Sequence, residues 1–251
     1  PVAVQLADKV GTSRIIANAK KMGITTLDKK DDNLAMALGG LTRGVTPLEM
    51  ASAYGTFANK GVHVKPTAII KILDRNGNVI EDETSHSHNE TKTQVMTEKE
   101  AYEMTYMLEG VITHGTGTAA AISRPAAGKT GTTDNNVDAW FVGYTPDIVT
   151  AVWIGDDTGA HSLGEVYGGT IPAEIWRDYM SSATEDAKSS EFSVPSGMER
   201  FTEQPKEEKK SDVKEDTAKK KSAAQNKSNQ DKKTSDIKKT PSQASRNNKE
   251  Q

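Results

Sequence analysis

Ala126–Asp157 reads AAGKTGTTDNNVDAWFVGYTPDIVTAVWIGDD, and it decides the fold class. Ala126 to Thr133 has the composition of a short strand, and Ala139 to Tyr144 is a second with apolar or aromatic residues at successive positions. Thr145-Pro146-Asp147 is a tight turn, with Pro at the position whose φ it presets. Ile148 to Gly155 returns as a third strand, again apolar on both faces. Strands that are apolar on both faces need a layer above and a layer below. The expectation is an α+β domain, an antiparallel sheet covered by helices on both faces.

The flanking sequence supplies those helices. Thr12-Ser13 can start one that carries Ile15, Ile16, Ala19 and Met22, with Gly23 as its stop. Thr46-Pro47-Leu48-Glu49 is a strong start signal: Thr46 as N-cap, Pro47 in the first turn, and Glu49 completing a capping box. Leu48, Ala51, Tyr54, Phe57 and Ala58 are expected to form its apolar face. Thr97-Glu98-Lys99-Glu100 is a second capping box ahead of a stripe at Ala101, Met104, Leu108 and Val111. Pro172 begins a last helix through Ile175, Trp176, Tyr179 and Met180. Between the second and third of these helices, Thr67 to Leu73 and Val79-Ile80 flank the hairpin signal Asn76-Gly77.

Composition splits the chain in two. Of its 251 residues, Phe201 to Gln251 carries 14 Lys and Arg against 9 Asp and Glu, a net of +5, so Pro1 to Arg200 has a net of −8. Beyond Phe201 there is no aromatic residue, and such a segment cannot bury enough apolar surface to offset its ordering entropy. The expected organisation is a folded region over residues 1–187 and a Lys-, Ser-, Asn- and Glu-rich disordered tail over 188–251. The tail's mixed charges without aromatic rings argue against nucleic-acid binding. They leave a solubilising role or weak attraction to anionic wall polymers or lipid head groups. There is no Cys, hence no disulfide framework. No apolar run approaches the ~18 residues of a membrane span.

Several chemistries are excluded by spacing. A P-loop ending at Gly128-Lys129-Thr130 needs Gly at position 123, where Ser123 stands. Gly115-Thr116-Gly117 is half of a dinucleotide fingerprint, but it precedes a strand instead of following one. His86 and His88 lack a third ligand at a familiar spacing, so no metal and no cofactor is expected.

Lys129-Thr130-Gly131 is the Lys-Thr-Gly signature of serine penicillin-binding proteins and β-lactamases. Its context, Ala126 to Asp157, resembles that family almost continuously. GTGTAA at Gly115–Ala120 and TPLEMASAYGTFANKG at Thr46–Gly61 resemble the bifunctional, class A branch. These two segments, with the charged tail, weigh against a serine β-lactamase. The resemblance spans about residues 1 to 185. It implies a D-alanyl-D-alanine transpeptidase domain that takes peptidoglycan stem peptides and β-lactams. Lys129 would offer a cation at the cleft edge, and the Thr130 and Thr132 hydroxyls would bind the substrate carboxylate. Gly131 would let the ligand lie flat on the strand. The Thr132 N–H would be one oxyanion-hole donor. Trp140 and Trp153 are expected in the core of the sheet, and Asp134 and Asp138 in turn or cap roles.

The family attacks with the Ser of a Ser-x-x-Lys motif, supported by Ser-x-Asn, both ahead of Lys-Thr-Gly. Here Ser-x-x-Lys occurs only at Ser211–Lys214 and Ser235–Lys238, and Ser-x-Asn only at Ser87–Asn89 and Ser245–Asn247. All lie in polar or tail sequence after Lys129 or off a helix. The expectation is a fragment that starts past the nucleophile and forms no acyl-enzyme alone. A parent of this kind would add a glycosyltransferase domain and a membrane anchor, on the extracytoplasmic face of a bacterial membrane. The alternative is a non-catalytic penicillin-sensing module that keeps the fold only.

Overall fold

The computed structural model describes residues 2–82 and 92–201. The expectations for His86, His88, Ser87–Asn89 and the segment 202–251 therefore lie outside the described residues.

Five α-helices and seven short strands are present among the described residues. In chain order they are α1 (Val2–Val10), α2 (Thr12–Lys21), α3 (Pro47–Ala58), β1 (Val62–Val64), β2 (Lys71–Leu73), β3 (Val79–Asp82), β4 (Lys92–Gln94), α4 (Glu98–Thr113), β5 (Ala127–Thr132), β6 (Asp138–Tyr144), β7 (Val149–Gly155) and α5 (Ile171–Ala183). The meander β5-β6-β7 forms one antiparallel sheet in that order, and β1–β4 and β2–β3 are separate antiparallel pairs.

Both capping boxes form as the sequence predicts. Thr46 caps α3 with Glu49 returning to the Thr46 N–H, and Thr97 and Glu100 do the same for α4. Each satisfies amide donors that a helix start leaves without partners. The α3 carboxylate does more than cap. Glu49 also accepts from the backbone N–H groups of Thr25 and Thr26 and from both their hydroxyls. It thereby ties the segment after α2 to the start of α3. Around that tie Ile16, Met22, Ile24, Leu27 and Ala53 form a small apolar core.

Helices cover both faces of the main sheet. On one face, α5 sets Trp176, Ala173 and Met180 against Phe141, with Ile112 of α4 and Ala120. Trp176 is fully buried, meets Phe141 edge-on at 5.3 Å, and donates its indole N–H to the Gly143 carbonyl at 3.2 Å. On the other face, Tyr54 and Phe57 of α3 and Leu108 of α4 pack on Tyr144 and Ala127. The buried Thr105 and Tyr144 hydroxyls satisfy each other at 2.9 Å. The α+β class with helices on both faces thus stands.

Two expectations are corrected. Leu48 is 66% exposed, so α3 buries Ala53 and Thr56 but not its first leucine. Only Lys71–Leu73 of the predicted Thr67–Leu73 strand pairs, because Thr67 instead bonds locally with Ile69. The compact unit runs to Phe201. Phe192 is buried edge-on against Tyr144, Phe201 stacks on Tyr102 of α4, and the Arg124 guanidinium holds the Thr184 and Ala187 carbonyls. Two isolated aromatic residues in a polar stretch carry no period, so sequence pattern does not reveal this packing.

Candidate active site

Strand register places the candidate residues. Lys129 pairs with Val142, Thr130 with Phe141, Gly131 with Trp140 and Thr132 with Ala139. Side chains alternate along a strand, so Lys129, Gly131, Trp140 and Val142 share the α3 face. Thr130 and Thr132 belong to the α5 face.

A groove of about 310 Å³ opens on the α3 face. Its floor is β5 and β6, with Lys129, Gly131, Trp140 and Val142; its opposite wall includes Leu41, Val45 and Tyr54. The Lys129 ammonium donates to the Thr130 carbonyl at 2.9 Å, and Lys129 lines the groove. β5 is an edge strand of its sheet. The groove can therefore offer a cation, a strand edge and an apolar floor to an extended ligand with an acidic end. Gly131 keeps the floor low: a Cβ there would lie 3.3 Å from the Cβ of Trp140. Tyr54 also lines the groove, and burial pushes its phenol up to about 12, so it stays neutral.

Each threonine hydroxyl on β5 has a partner within the chain. Thr130 Oγ1 is paired with Thr116 Oγ1 at 2.7 Å, and Thr132 Oγ1 accepts the Gly168 N–H at 3.0 Å. Both threonines also line the groove, and their hydroxyls are held by segments 14 and 36 residues away. Thr116 and Gly168 were not legible as partners, since nothing local links them to β5.

The tryptophan expectation fails for Trp153 and holds only in part for Trp140, which is half-buried. Trp153 is 38% exposed, and Trp140 lines the groove; the buried tryptophan is Trp176. The Trp140 and Trp153 rings lie 6.1 Å apart, and Trp153 donates its indole N–H to Asp138 at 2.8 Å. Asp138 is a groove residue and an anchor for Trp153, beyond any turn role. The β5–β6 turn is organised by Thr133, whose hydroxyl accepts the Val137 and Asp138 N–H groups. Asp134 is simply exposed there. Among the described residues there is no cluster of three or more His, Asp or Glu side chains suited to a metal ion.

The family profile described as penicillin binding protein transpeptidase domain matches residues 2–181. Penicillin-binding protein 1A of Aquifex aeolicus is 40% identical over 195 residues, which is 77% of this chain and 25% of that protein. Its namesake from Neisseria meningitidis is 43% identical over 169 residues, 66% of this chain and 21% of that protein. The chain thus spans about a quarter or less of the curated relatives it matches. Among solved structures, PonA1 of Mycobacterium tuberculosis in complex with penicillin V superposes with a TM-score of 0.63 at 29% identity, covering 72% of this chain and 52% of that one.

Proposed function

Taking as premise that the chain belongs to the penicillin-binding protein transpeptidase family, class A branch, we propose that its groove is the carboxylate-binding half of a D-alanyl-D-alanine transpeptidase site. The observation that carries this reading is the position of Lys129 and Gly131 on an edge strand flooring an apolar groove. The Lys129 ammonium draws in the terminal carboxylate of a stem peptide, or the corresponding acid of a β-lactam, through a charge-assisted hydrogen bond. The Thr132 hydroxyl adds a second donor. The Thr132 N–H stabilises the developing oxyanion, a contribution whose loss typically costs ~10²–10³ in rate. A serine then becomes acylated, and an acceptor amine releases the acyl group to complete the cross-link.

The serine is the part this sequence does not supply. No Ser-x-x-Lys precedes Lys129. The polypeptide is accordingly inactive on its own, and its activity belongs to a longer class A protein that also carries glycosyltransferase activity. No described helix is long and apolar enough to cross a membrane. The anchor that holds such a protein on the extracytoplasmic side of the bacterial membrane is assigned to sequence outside this chain.

A fluorescent penicillin tests both statements. The 251-residue polypeptide is expected to give no covalent band. A longer polypeptide that includes a helix-borne Ser-x-x-Lys is expected to label, and Lys129→Ala in it to slow labelling by ~10² or more. A labelled band at the mass of the 251-residue chain, or unchanged labelling of the Lys129→Ala form, contradicts the assignment.

A further inference from the structure

The loop between β7 and α5 is bonded to the β5–β6 turn and, through Gly168, to β5 itself. Its start is folded on the Asp156 carboxylate, which accepts from the Thr158 hydroxyl and from the Ala160 and His161 N–H groups. Its middle is tied to the β5–β6 turn: Leu163 donates its N–H to the Asn136 carbonyl at 2.6 Å, and the Asn136 amide donates to the Gly164 carbonyl at 2.6 Å. Its end is the turn Tyr167–Thr170, closed by the Thr170 hydroxyl on the Tyr167 carbonyl at 2.8 Å. That turn leads directly into α5. At its centre the buried Gly168 donates its N–H to Thr132 Oγ1.

Two glycines are needed for this approach. A Cβ at Gly168 would come within 2.3 Å of the Trp140 carbonyl and 2.5 Å of the Gly131 carbonyl. At Gly169 it would come within 2.2 Å of the Thr116 carbonyl. Any larger residue lifts the turn from the strand. In this arrangement the Thr132 oxygen uses a lone pair to accept from Gly168, and its own proton remains to be donated. A hydroxyl that accepts one bond is polarised as the donor of the next.

We propose that Gly168 is a positioning residue: its N–H fixes the rotamer of Thr132 so that the Thr132 hydroxyl donates its proton to the carboxylate of the bound peptide or β-lactam. The loop from Asp156 to Thr170 is then a strap that sets the carboxylate-binding half of the site. This inference rests on the reading of β5 given above, and it adds the source of the hydroxyl's orientation.

Two measurements test it. The first needs no activity: amide hydrogen exchange at Gly168 in the 251-residue chain. Thr132→Ser keeps the acceptor and is expected to keep the protection, whereas Thr132→Val is expected to speed exchange about tenfold, the worth of one hydrogen bond. Equal exchange in all three forms overturns the proposal. The second uses the longer, penicillin-labelled polypeptide and compares a penicillin bearing its free carboxylate with the same penicillin as its methyl ester. Gly168→Ala is expected to lower the ratio of the free-acid to the ester acylation rate about tenfold, and to leave that ratio unchanged in a Thr132→Val background. Equal losses with acid and ester, or a full further fall of that ratio in the Thr132→Val background, overturn it. Absence of labelling in the unsubstituted longer polypeptide would instead strike the functional reading, and the exchange measurement separates the two failures.

Discussion

Glu49 is the most heavily engaged carboxylate among the described residues, and it was legible only in part. Its spacing from Thr46 identifies a capping box, but its bonds to Thr25 and Thr26 join residues 23 and 24 positions apart. Burial opposes its charge, yet the Thr46 N–H and the Thr25 donors outweigh that cost and hold the carboxyl down to about 2, from an ordinary 4.5. Because the folded value is the lower one, the stabilisation is complete above pH ~4.5. It is lost as pH falls from there toward ~2. Glu49→Gln is expected to destabilise the domain by roughly 3 kcal/mol at neutral pH. It should also flatten the acid limb of a denaturation profile between those pH values. An acid limb that matches the unsubstituted protein would show that Glu49 does not carry this term. At the same scale, Trp140 and Trp153 show why residue type misleads. Each sits in an apolar strand, and indole favours burial, but the choice between core and groove depends on whether a helix covers that position.

Among the elements, α5 and the segment after it decide how the sheet is covered. The Pro172 start signal and the Trp176 and Met180 spacing made α5 legible, since one face of a helix repeats every three to four residues. The segment from Ala187 to Phe201 has no such repeat. It holds to the domain through Phe192 under Tyr144, Phe201 on Tyr102 and Tyr106, and the Ser190 hydroxyl on Asp147. Phe192→Ala is expected to cost about 3 kcal/mol, the usual loss for a buried phenylalanine. Urea unfolding monitored by far-UV circular dichroism would measure it. A cost below about 1 kcal/mol would mean that this segment merely rests on the surface. The strap from Asp156 to Thr170 was equally hidden. Its glycines leave open whether it walls the cleft or crosses the surface, and two of them are required by the close approach to Thr116, Gly131 and Trp140.

For the molecule as a whole, the charge division predicts different fates for two truncations. Removing residues 202–251 is expected to leave thermal stability unchanged, because that sequence lacks the apolar groups that could contribute to a core. Removing residues 188–251 is expected to lower the midpoint by several degrees, since Phe192 and Phe201 go with it. Equal midpoints for the two truncations would place the boundary at 187. The helices α2 to α5, the central hairpin and the three-stranded meander, the capping boxes, the turn at Pro146 and the Lys-Thr-Gly strand were set by the sequence alone, whereas α1, β1 and β4 were not legible in it. Each of the legible features depends on bonds or periodicities between residues close along the chain. The packed structure alone decided which tryptophan is buried, which way the Thr130 and Thr132 hydroxyls are held, and how far the domain extends. Those outcomes turn on groups brought together from 14 to about 100 positions away, and no local pattern encodes which surfaces meet.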